Sequence, residues 1–136
     1  MFRQNQEDYL RAIYRLWEKD RQNIRSIDIS KELEISKGAV SEMLKKLVKH
    51  QYIKMAPYSN IIFTNKGLKK ARELTCKHRI IEVFLKNILK ISNKNIHQEA
   101  HKLEHAVSQE VIIKLAKFLK NPKVCPDGKN IPRINS

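Results

Sequence analysis

Four of the five histidines, His78, His97, His101 and His105, fall within a stretch of 28 residues. In His101-Lys102-Leu103-Glu104-His105 the spacing is that of one helical face, because residues three and four apart are neighbours on a helix. As a helix, this stretch brings His101, Glu104 and His105 to one volume, with His97 one turn before His101. Two imidazoles and a carboxylate form an N/O donor set suited to a divalent cation of the manganese, iron or zinc type. His78 and Glu82 stand four residues apart and with His97 make a second half-site. A lone histidine more often sits on the surface or satisfies a core hydrogen bond. It is the clustering of four at helical spacing that points to metal.

The elements that must position these residues are mostly helical. Tyr9, Leu10, Ile13, Tyr14 and Trp17 follow the i, i+3, i+4 rule and predict a helix from Gln6 to Lys19. Ser26 is the expected N-cap of a short second helix with Ile27, Ile29 and Leu33 on its apolar face. Ser36 caps a third, whose stripe is Val40, Met43, Leu44, Leu47 and Val48. Two short helices joined by so tight a turn read as a helix-turn-helix. Tyr52–Met55 and Ile61–Thr64 are β-prone runs around the turn formers 56–60, a hairpin that makes the motif winged. A long helix is predicted from Asn65 to about Leu89. Ile91-Ser92-Asn93 introduces the helix of His97 to His105, and Ser108 opens a last helix through Val111, Ile112, Leu115, Phe118 and Leu119. The face Val107, Val111, Ile112, Leu115 and Leu119 is expected to be core. Pro122, Pro126 and Pro132 mark an irregular tail. The expected architecture is therefore mainly α, a winged helix-turn-helix over 1–64 followed by a helical domain over 65–136 that carries the metal-ligand candidates and, by the resemblance given below, is also the dimerisation domain.

Composition narrows the partners. The chain has 136 residues, 41% of them hydrophobic, and a net charge of +14, which implies a polyanion such as nucleic acid. No apolar run approaches the ~18 residues of a membrane span, and two cysteines without framework spacing, Cys76 and Cys125, suit a reducing cytoplasm. The third helix, with its stripe turned inward, leaves Ser36, Lys37, Gly38, Ala39, Ser41, Glu42, Lys45 and Lys49 outward. Small and hydroxylic residues in its first turn allow approach to base edges, and lysines further along reach phosphates. Arg25 and the wing-tip residues Tyr58 and Ser59 are expected as further phosphate contacts.

Glu7-Asp8-Tyr9-Leu10-Arg11-Ala12-Ile13-Tyr14, Lys77-His78-Arg79, His101-x-x-Glu104-His105 and Cys125-Pro126-Asp127-Gly128 followed by Ile131-Pro132 together resemble the diphtheria-toxin-repressor family of metal-dependent regulators. The resemblance runs over nearly the whole chain. It implies a homodimer in which the winged helix reads a palindromic DNA operator and the C-terminal helices dimerise and bind Fe2+ or Mn2+, with Zn2+ a possible substitute in vitro. It implies a primary metal site of Asp8, His101, Glu104 and His105 and an ancillary site of His78, Glu82 and His97. The family's manganese branch has Asp at the position of Asp8. Where that branch carries a carboxylate one turn later this chain has Arg11, and His101 stands where the family usually has Cys or Glu. The chain is expected to lack the SH3-like third domain of longer members.

Two other classes compete with a metal-dependent repressor. His-x-x-Glu-His is also the inverted zinc-peptidase motif, which needs a further acidic ligand downstream; after His105 only Glu110 and Asp127 are acidic. The sequence favours no enzyme. A metal-independent winged-helix protein would keep the DNA-binding face and use the histidines as scaffold.

Overall fold

The computed structural model describes residues 5–133. Its elements are α1 (Gln6–Lys19), α2 (Ser26–Leu33), α3 (Lys37–Lys49), β1 (Ile53–Ala56), a 3-10 turn (Pro57–Ser59), β2 (Asn60–Phe63), α4 (Asn65–Asn87), α5 (Asn93–Glu104) and α6 (Gln109–Phe118). The chain forms two compact units, one running to Arg72 and one from Glu73, so that each carries part of α4.

In the first unit α1 has the predicted bounds. Asn5 caps it by accepting the Asp8 N–H at 3.0 Å, while the Asp8 carboxylate accepts the Asn5 N–H at 3.1 Å. That reciprocal pair satisfies two of the donors a helix start leaves open. Tyr9, Leu10, Ile13 and Tyr14 are buried as the period requires. The second helix differs from expectation at its start: Arg25, not Ser26, is the N-cap. The Asp28 carboxylate accepts the Arg25 N–H at 3.0 Å and so draws the helix start back one residue. Between α2 and α3, Glu34 adopts a left-handed conformation (φ 55°) and Ser30 Oγ donates to the Ile35 carbonyl at 2.6 Å. Ser36 then caps α3 as predicted, accepting the Ala39 N–H at 3.1 Å. Val40, Leu44 and Leu47 are buried on α3, whereas Val48 is 40% exposed at the edge of its stripe.

The wing is an antiparallel hairpin pairing Ile53 with Phe63 through Ala56 with Asn60. Tyr52 and Thr64, expected at its ends, lie outside it because Thr64 serves α4 instead. Its Oγ1 donates to the Gln51 carbonyl at 2.6 Å and accepts the Gly67 N–H at 2.9 Å, capping the long helix. A further extended segment joins the wing: Ile61 N–H donates to the Ile24 carbonyl and Ile24 N–H to the Asn60 side chain, each at 2.8 Å. A single buried isoleucine among polar neighbours shows no alternation, so no strand is signalled there.

The second unit is built on Ile81 and Leu85 of α4, Ile96 and Ala100 of α5 and Ile112 of α6. Helix α4 stops at Asn87 rather than Leu89. Lys90 turns left-handed (φ 59°), and Ile91 N–H reaches back to the Leu85 carbonyl at 2.9 Å, closing the helix end. Ser108 caps α6 through the Val111 N–H. Of the predicted α6 stripe only Ile112 is fully buried; Val111 is half exposed. The described part of the tail has no helix or strand, as its prolines suggest, but it is closed by a bridge and a turn. Val124 bridges Asn130, Gly128 N–H donates to the Cys125 carbonyl at 2.8 Å, and Gly128 takes the positive φ (80°) that this turn requires.

Gly67 marks the tightest approach in the first unit, for a Cβ there would lie 1.8 Å from the Tyr52 carbonyl oxygen. In an open helix Gly→Ala stabilises by up to ~1 kcal/mol. Here Gly67→Ala is expected to destabilise by about 1–3 kcal/mol or more, because backbone must move. A urea midpoint below that of the parent protein checks this.

Candidate metal centre

The apolar rows that form the second unit's core also place the polar groups beside it. Ile81 and Leu85 fix the inward face of α4, and His78 and Glu82 flank Ile81 on adjoining turns. Ile96 and Ala100 do the same for α5, setting His97 next to the first and Glu104 one turn beyond the second. His78, Glu82 and Glu104 are buried in consequence, while His97 stays exposed.

Within this unit a run of alternating imidazoles and carboxylates results. His101 and His105 bring their Nε2 atoms to 3.5 Å, with the rings perpendicular. Glu104 places Oε1 at 3.6 Å from His105 Nε2 and Oε2 at 2.7 Å from His78 Nδ1. His78 presents Nε2 to Glu82 Oε1 at 3.3 Å, and Glu82 Oε2 meets His97 Nδ1 at 2.8 Å. His97 Nε2 finally lies 2.9 Å from Asp127 Oδ2. The rings of His78 and His97 are parallel within 5°, their centroids 6.1 Å apart, on either side of Glu82.

Two sets of donors have the separation a cation needs. Ligand atoms of His101, Glu104 and His105 lie within 4.8 Å of one another, and so do those of His78, Glu82 and His97. Two nitrogens each about 2.1 Å from one ion would be ~3.4 Å apart at a tetrahedral angle and ~3.0 Å apart at an octahedral one. The 3.5 Å between His101 and His105 therefore needs little or no adjustment. Neutral imidazole with carboxylate suits Mn2+, Fe2+ or Zn2+ alike. The donor chemistry fits the metal that the sequence suggested.

Asp8 belongs to the first unit, where it is buried as the third residue of α1 and held by Asn5. Arg11, one turn on, brings no carboxylate. Cys76 is buried, and burial pushes its thiol up to about 11, so it stays protonated and is a poor ligand near neutral pH. Cys125 is buried in the tail turn.

Sequence reasoning missed two links. The resemblance places Glu104 and His78 in separate sites, whereas they share the shortest contact of the run. Sequence reasoning noted Asp127 only as a downstream acid. Both contacts are long-range, 26 and 30 residues apart, and no local period signals them.

The expected DNA-reading residues are all presented outward. Ser36, Lys37, Gly38, Ala39, Ser41, Glu42 and Lys45 are exposed on α3 and its cap, as are Arg25 before α2 and Tyr58 and Ser59 at the wing tip. Tyr58 is 90% exposed and, like Ser59, has positive φ. Among the described residues no helix is long and apolar enough to cross a membrane.

Comparison with known proteins places both units. Residues 1–61 match the iron-dependent repressor N-terminal DNA-binding domain, and residues 64–133 match the iron-dependent repressor metal-binding and dimerisation domain. An HTH-type transcriptional regulator of Methanocaldococcus jannaschii, itself uncharacterised, is 37% identical over 88% of this chain and 96% of its own. The HTH-type transcriptional regulator MntR of Shouchella clausii is 30% identical over 95% of this chain and 92% of its own. Among solved structures, that of the manganese regulator SloR superposes with a TM-score of 0.88 at 42% identity. It spans 99% of this chain, which covers 62% of SloR.

Glu104→Ala removes a donor and leaves His78 Nδ1 without its carboxylate. Metal affinity, measured by chelator competition, is expected to fall at least ~10-fold to 100-fold. Stability of the metal-free protein in urea should fall by about 1–3 kcal/mol, the cost of a buried polar group losing its partner.

Proposed function

The chain belongs to the iron-dependent repressor family, and from that premise we propose that it is a metal-dependent transcriptional regulator, acting as a repressor. In this reading it binds a palindromic operator as a homodimer when loaded with Fe2+ or Mn2+, and so controls genes of metal homeostasis in the cytoplasm. The observation that carries the proposal is the pairing, in one chain, of a winged helix with two donor groups at ligand separation.

His101, Glu104 and His105 are the C-terminal ligands of the primary site, with Asp8 of the first unit completing it. His78, Glu82 and His97 hold the ancillary ion. A divalent cation would be held by Asp8, His101, Glu104 and His105 and would supply the positive charge that offsets the two carboxylates. On the DNA side, Gly38, Ala39 and Ser41 on α3 leave room for base edges, and Lys37 and Lys45 reach phosphates. Arg25, Tyr58 and Ser59 add contacts from the flanks. Two α3 helices in a dimer must stand about one DNA turn, ~34 Å, apart to read half-sites together. Joining Asp8 to the second unit's ligands restricts the geometries a dimer samples, and operator affinity rises with the fraction that is competent. Val111 and Phe118, exposed seven residues apart and so on one side of α6, offer apolar surface that a dimer partner would cover. A zinc-hydrolase reading lacks this support, because Asp127 lies against His97 rather than beside His101 and His105.

The proposal is tested by selecting from a duplex DNA library at fixed salt with Mn2+, anaerobic Fe2+, Zn2+ or EDTA. Enrichment of a palindrome with metal alone is expected; equal enrichment in EDTA would leave a DNA-binding protein that senses no metal. On the selected site, Lys45→Ala should weaken binding to all sequences similarly and lower the salt slope by about one.

A further inference from the structure

The tail turn carries one carboxylate, and that carboxylate is spent on a candidate ligand. Asp127 follows Cys125 and Pro126 in a turn closed by the Gly128 N–H donating to the Cys125 carbonyl at 2.8 Å. Cys125 N–H donates to the Lys129 carbonyl at 2.9 Å, and the Arg79 guanidinium on α4 donates to the Asn130 carbonyl. The turn is thus fastened to the same helix that bears His78 and Glu82. Its Asp127 Oδ2 lies 2.9 Å from His97 Nε2, while the other ring nitrogen, Nδ1, faces Glu82 Oε2 at 2.8 Å.

A histidine that ligates through one nitrogen needs its tautomer and ring angle fixed through the other, and a carboxylate on the second N–H does both. His97 is 57% exposed, so packing alone does not hold its ring. We infer that Asp127 is the positioning residue of the ancillary site: it accepts the His97 Nε2–H and so aims the Nδ1 lone pair at the ion held with His78 and Glu82. It acts on the metal only through His97. The tail turn is thereby a working part of the second unit. The inference rests on the proposal that His78, Glu82 and His97 bind metal, and its test separates the two.

The test uses the full chain and Mn2+ or Co2+ alone, with stoichiometry and affinity read by chelator competition for the parent protein and for His97→Ala, Asp127→Ala and Asp127→Asn. Two ions are expected for the parent and one for His97→Ala. Asp127→Ala should bind the second ion about 10-fold to 100-fold more weakly, whereas Asp127→Asn, whose amide oxygen still accepts the Nε2–H, should stay nearer the parent. Equal losses in Asp127→Ala and Asp127→Asn would overturn the inference in favour of direct ligation by the carboxylate. No loss in Asp127→Ala, with one ion lost in His97→Ala, would overturn it while leaving the ancillary site standing. A single ion in the parent would overturn the ancillary site and the inference together. Asp127 is about half exposed, so the variants are expected to fold.

Discussion

Two carboxylates, Glu82 and Glu104, are buried beside an aliphatic core, and a buried carboxylate is tolerable only with partners close enough to offset its desolvation. The second unit meets that constraint with histidines. Glu104 leans on His78 and Glu82 lies between His78 and His97, so the two acids are tied together through one imidazole. Aliphatic replacements could fill the same volume, and buried ionic groups are commonly neutral or unfavourable against such replacements. What the polar run provides that leucines could not is two sets of lone pairs at cation spacing. It also pins the pairing of α4 with α5, because sliding one helix by a turn would separate Glu104 from His78. Packing and chemistry are therefore set by the same few residues.

The donor set follows from the same constraint. Histidine can meet a carboxylate on one face and a cation on the other, since its two nitrogens point in different directions. His78 and His97 each present their two nitrogens to different carboxylates. Lysine or arginine at those positions would satisfy the acids and leave nothing for a metal. In the first unit Asp8 is held in the capping box of α1, its carboxylate kept in place by backbone.

Much of this was legible in the sequence where physics is local. The periods of α1 and α3, the Ser36 and Ser108 caps, the short α2–α3 turn and the wing follow from spacing and turn chemistry, and so did the grouping of His101, Glu104 and His105 on one helix. Boundaries moved where a side chain found a better use: Asp28 drew the start of α2 back to Arg25, and Thr64 left the hairpin to cap α4. The pairing of Ile24 with the wing, the His78–Glu104 contact and the place of Asp127 were not legible, since each joins segments with no shared period. The three prolines signal the irregular tail but not the turn that Pro126 opens and Gly128 completes. The half-exposed Val111 reflects a stripe that α6 only partly buries against its own unit.

In the proposed regulator, metal on the histidine–carboxylate run and DNA on α3 would be coupled. Coupling between two ligands is reciprocal: if metal tightens operator binding by some factor, operator must tighten metal binding by the same factor. The direct measurement is the Mn2+ affinity of the full chain, by chelator competition, alone and saturated with its selected duplex. The account predicts tighter Mn2+ binding on the duplex, by the factor with which Mn2+ strengthens the DNA complex. Equal Mn2+ affinity with and without DNA would contradict it, leaving a metal-binding unit and a DNA-binding unit that do not communicate.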